Sequence, residues 1–102
     1  MTSKIMKPIR QGDVILIPVQ QVEGKKLGHL TLAEGEVTGH IHRISQGEAQ
    51  LYTDDSQLYL SIFSTKAVLS HEEHDSVCIS QGNWIVRIQR EYEPEGWRYV
   101  AY

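Results

Sequence analysis

Apolar and polar positions alternate along much of this chain. Leu58, Leu60 and Ile62 occupy every second position of one run, and Trp84, Val86 and Ile88 do the same further on. Side chains two apart share a face of an extended strand, so each run predicts a strand with one apolar face. In the second, read as the longest strand over 84–92, Arg87, Gln89 and Glu91 take the opposite face. Shorter alternations over 29–33, with Leu30 and Leu32 together, and over 48–52 predict two more. The run 14–19 is continuously apolar and follows the turn signal Gln11-Gly12-Asp13, which predicts a strand buried on both faces. Pro18 then belongs near its end or on a side that needs no ladder hydrogen bond. Residues 67–69, 77–79 and 97–102 complete the set as short strands.

Breaks separate these runs at regular intervals. Turns are expected at 46–47, 54–56, 81–83 and 94–96, and the polar stretch 20–28 reads as a loop. Gly35 and Gly39 mark a turn that feeds a strand over 40–44. No segment keeps a helical period. The expected fold is therefore all-β, a small single-domain β-barrel or compact β-sandwich with little helix. Residues 1–9 are read as a flexible N-terminal arm and 10–102 as the single domain, a size able to build one core.

Composition narrows the function classes. A formal net charge of −3 argues against a protein built to hold phosphate backbones, although Lys4, Lys7, Arg10, Lys25 and Lys26 gather toward one end. No apolar run is long enough for a bilayer-spanning helix, and Met-Thr-Ser-Lys-Ile-Met-Lys-Pro lacks the apolar core of a secretory signal. The lone Cys78 cannot form an internal disulfide, which fits a reducing cytoplasm. Between Val77 and Ile79 it reads as a buried, inert thiol.

The candidate chemistry lies in histidine. Four of the five histidines form two close pairs, His40 with His42 and His71 with His74. On a strand His40 and His42 point the same way. Ser70 and Glu73 have the spacing of a capping box, which would start a helical turn with His71 and His74 on one face. Neutral imidazoles converging at about 2 Å would hold a divalent metal, with Zn, Fe, Mn or Ni as candidates. Glu34, Glu36, Glu48, Glu72 and Glu73 are the available carboxylates, with Glu72 or Glu36 expected as base or further ligand. The competing reading is a non-enzymatic binding module whose histidines are structural.

Two resemblances bear on this. A glycine turn followed by His-x-His resembles the first motif of the cupins, which would assign Gly35, His40, His42 and Glu48 to it and His71 or His74 to the later ligand. Gly35 is one residue too close for that pattern and Glu48 too far along. The chain also resembles a group of small, functionally unassigned proteins of bacteria and their phages. The shared features are Arg10-Gln11-Gly12-Asp13-Val14, Ala33-Glu34-Gly35-Glu36-Val37-Thr38-Gly39-His40-Ile41-His42, His71-Glu72-Glu73-His74 and Gln89-Arg90-Glu91-Tyr92. That resemblance implies no activity.

Other motifs fail on spacing. His71 and His74 are three apart, not the four of a helical zinc protease, and there is no nucleophile elbow or phosphate loop. Trp84, Trp97, Tyr92, Tyr99 and Tyr102 are suited to core packing or, at an edge strand, to a homodimer or protein contact rather than to stacking bases. The expected partner is thus a small molecule or protein, with no membrane; nucleic-acid binding is a third, disfavoured reading that would show as salt-sensitive association with single strands.

Overall fold

The computed structural model describes residues 6–35, 38–89 and, as backbone, 97–99. These form nine strands: β1 (Ile9–Gln11), β2 (Val14–Val19), β3 (Lys25–Lys26), β4 (Thr31–Gly35), β5 (Ile41–Gln46), β6 (Ala49–Asp54), β7 (Gln57–Ser70), β8 (Val77–Ile88) and β9 (Trp97–Tyr99). Every pairing is antiparallel, in the order β1-β2-β8-β7-β5-β4-β9, with β6 attached to β7 and β3 to β6. The all-β expectation holds. No described residue is helical, so none lies in a helix able to cross a membrane.

The sheet does not close into a barrel. Its end strands β1 and β9 each pair with a single neighbour among the described residues, and the sheet branches at the long strand β7. Its first half pairs with β6, from Asp54↔Gln57 to Ala49↔Ile62. Its last residues pair instead with β5, as Ile44↔Leu69 and Arg43↔Ser70. One edge of β7 thus serves two neighbours in succession, and the sheet branches there. The other edge runs along β8, with a register shift between Ile62 and Lys66. Opposite this shift stands Gly82, at φ 142°. Glycine there lets the strand kink without reversing. The turn expected at 81–83 is therefore absent, and 77–79 joins 84–88 in one strand. The runs 58–63 and 67–69 likewise fuse into β7.

The inward faces share one core. Val14, Leu16, Leu32, Leu51, Leu58, Leu60, Ile62, Leu69, Ile79, Trp84 and Val86 are buried within it. The alternation read at 58–62 is observed directly. On β2, Val14 and Leu16 are buried while Ile15 and Ile17 are only half-buried, so one face and not both is covered. Pro18 lies beyond the part of β2 that β1 covers. Cys78 faces outward and is exposed, because Ile79 takes the inward position of β8. Met6 packs against the core just before β1.

Candidate metal centre

The two histidine pairs meet. The β4–β5 hairpin closes through Gly39 N–H donating to the Gly35 carbonyl and Gly35 N–H to the His40 carbonyl, with Gly39 at φ 76°. His40 and His42 then lie on one side at the start of β5. The segment from His71 to Asp75 leaves the end of β7 and folds over them. The Glu72 carboxylate accepts from Ile41 N–H at 2.8 Å and ties the segment to β5. Ring centroids lie 4.2 Å apart for His42 and His71, 4.6 Å for His71 and His74, 5.5 Å for His40 and His71, and 6.0 Å for His42 and His74. His29 makes no ring contact among the described residues. It caps the start of β4, where its Nδ1 accepts from Thr31 N–H.

The expected helical turn after Ser70 does not form; residues 72–74 are a series of bends. The capping box loses to two local competitors. The Ser70 hydroxyl bonds the Ser45 hydroxyl across the β5–β7 pair. Glu73 N–H, the donor a Ser70 cap would take, goes to His71 Nδ1 at 3.0 Å. His71 and His74 still reach one place because the bends, rather than a helix face, aim them.

His42 is the anchor. It is fully buried, and its Nδ1 lies 2.8 Å from Gln11 Oε1. The Gln11 amide is oriented by its other end. Its Nε2 donates to the Leu69 carbonyl and to the Asp75 carbonyl, each at 2.9 Å. The oxygen must therefore face His42, so Nδ1 carries the proton and Nε2 the lone pair. Such a partner, fixing tautomer and ring orientation, is what metal-ligating histidines commonly have. On the outer side Glu73 Oε1 stands 3.6 Å from His40 Nδ1, an ion-pair distance that biases the same tautomer there.

The electrostatics favour the neutral form of His42 and His71. Burial, followed by the nearby His71 and His74, lowers the His42 pKa from 6.5 to about 4. Burial and His74 also lower that of His71. The Ile41 N–H bond pulls the Glu72 carboxylate below its ordinary value. The rings overlap more than they converge, with interplanar angles of 37° for His42 and His71 and 17° for His42 and His74. Accordingly no three His, Cys, Asp or Glu side chains among the described residues already surround one point as a coordination sphere. His71 adds a requirement. Its Nδ1 accepts from Glu73, so in the neutral ring Nε2 bears the proton, and this atom is buried without a hydrogen-bond partner among the described residues. Ligation through that Nε2 would need His71 to release Glu73 N–H.

A cleft of about 210 Å³ opens beside the cluster, lined by Ile41, Arg43, Ser70, His71 and Glu72. Of the other expected carboxylates, Glu36 lies outside the described residues. Glu34 lies on β4 opposite Ile41, and Glu48 is exposed at the β5–β6 turn, where its carbonyl accepts from Phe63 N–H. No hydrogen bond or ion pair among the described residues joins Glu48 to the histidines.

Two residues of the site escape a reading by chemical type. Gln11 and Gly12 read as turn formers, and they are the β1–β2 hairpin. Gly12 sits at φ 60°, and a Cβ there would lie 2.5 Å from His74 Nε2. Along the chain, Gln11-Gly12-Asp13 marks only a turn and gives no sign of its contact with the histidines.

The comparisons bear on the family alone. Residues 10–89 match the family model described as Domain of unknown function (DUF8820), and the chain belongs to that family. Neither the curated proteins nor the solved structures gave a match.

Proposed function

We propose that this member of the family binds one divalent transition metal through His40, His42, His71 and His74. The observation that carries the reading is the Gln11–His42 bond. A fully buried imidazole held neutral, with Nδ1–H fixed by a glutamine that is itself fixed by two carbonyls, keeps its lone pair on Nε2 and packs against the rings of His71 and His74. Imidazole donors without thiolate suit Zn²⁺, Ni²⁺ or Fe²⁺ better than the hard ions Mg²⁺ and Ca²⁺. Glu73 would support His40, and Glu72 would hold the 71–75 segment on β5. Glu72, exposed and with a lowered pKa, is a weak base and serves the site chiefly as this clasp.

Calorimetric titration of chelator-free protein with Zn²⁺ and Ni²⁺ tests this. One metal per chain is expected, with loss of binding in His42→Ala and His71→Ala. Absence of stoichiometric binding would refute it. The overlapped rings favour a second reading, in which the histidines pack a metal-free binding module. In that case the His→Ala variants lose stability and the parent binds no metal.

A further inference from the structure

We infer that the cleft between β5 and the 71–75 segment is a binding site for a small carboxylate, with Arg43 as its anchor. The cleft has one cationic wall. Arg43 is exposed on β5, opposite Ser70 in register, and forms no ion pair among the described residues. Its guanidinium fork matches a planar carboxylate through two parallel hydrogen bonds. The remaining lining sets the limits of the ligand. The Glu72 carboxylate faces the same space with one oxygen already engaged by Ile41 N–H. Its negative charge disfavours a phosphate dianion and leaves room for a single negative charge at the Arg43 end. Ile41 offers an aliphatic wall, and His71 joins the cleft to the histidine cluster. At about 210 Å³ the space lies below the roughly 300–1,000 Å³ of drug-sized pockets, so it fits a short-chain acid.

The site goes beyond the metal reading and does not require it. The test therefore uses the full chain, freed of metal and of carboxylate chelators. Acetate, propionate and inorganic phosphate are titrated separately at constant ionic strength, with NMR detection of the Arg43 side-chain N–H and the His71 ring. The carboxylates are expected to shift both groups saturably. Arg43→Gln should weaken them about tenfold or more, and Glu72→Gln, which keeps an acceptor for Ile41 N–H, should strengthen them. Equal responses to phosphate and carboxylates, or carboxylate binding unchanged in Arg43→Gln, would overturn the proposal. Metal titration of the same variants reports on the histidine site separately, since Arg43 is not among its donors.

Discussion

Replacing Gln11 by Leu removes the keystone of the site, and its cost can be worked from three hydrogen bonds. Gln11 is 3% exposed, and it satisfies the Leu69 carbonyl, the Asp75 carbonyl and the His42 Nδ1–H. Leucine fills similar volume but leaves all three groups without their partner. Asp75 is exposed and its segment can turn to water, whereas Leu69 and His42 are both fully buried. Each buried orphan costs about 1–3 kcal/mol, and the added apolar contact offsets a part, so the net loss is about 3 kcal/mol. Urea unfolding at pH 8, where His42 is neutral in both states, should show this as a lower midpoint at unchanged slope. The same variant should bind metal about 10–100-fold more weakly, because the His42 ring loses its orienting partner. Gln11→Glu separates the two roles. It keeps an acceptor for His42 but turns an oxygen toward two carbonyls, so it should be unstable yet retain more metal affinity than the leucine variant. A Gln11→Leu protein within about 1 kcal/mol of the parent, or one with parental metal affinity, would refute the reasoning.

Three further outcomes follow from the same geometry. Gly12→Ala forces alanine into a left-handed conformation at a cost of about 1–2 kcal/mol and drives its Cβ into the His74 ring, so the His74 ring signals in an NMR spectrum should move while those of His29 stay. The depressed His42 pKa makes the unfolded chain bind a proton that the folded chain refuses between pH 6.5 and about 4. The His42 contribution is thus full above pH 6.5 and lost on acidification through that window, up to about 3 kcal/mol; urea midpoints of the metal-free parent should fall more steeply with acid than those of His42→Asn. Glu72→Ala should speed hydrogen exchange at Ile41 N–H more than at Ile79 in the core, since it frees the clasp of the 71–75 segment; equal exchange would show that Glu72 holds nothing in place.

How much of this was legible in the sequence depends on the range of the interactions involved. The strand at Leu58–Ile62 was readable because burial on one face imposes a period of two, and the hairpin at Gly39 because its backbone requires a positive φ. The turn read at 81–83 was wrong because glycine marks both a reversal and a kink. Only the bulge at Ile62–Lys66 on the neighbouring strand tells which one Gly82 makes. The branching of the sheet was equally out of reach, since it turns on how β7 divides one edge between β5 and β6, a choice with no local signature.

The site follows the same rule with a sharper consequence. Residue type singled out the four histidines, because imidazole has few common uses at that density. It gave no means of singling out Gln11, because an amide gains its role only from what surrounds it. Gln11 is 31 residues from His42, 58 from Leu69 and 64 from Asp75, yet it touches all three. It makes the histidine pairs one site rather than two, since a single amide holds β5 and the ends of the 71–75 segment in a fixed relation. The hairpin turn at Gln11 and Gly12 is the floor on which the two histidine pairs meet.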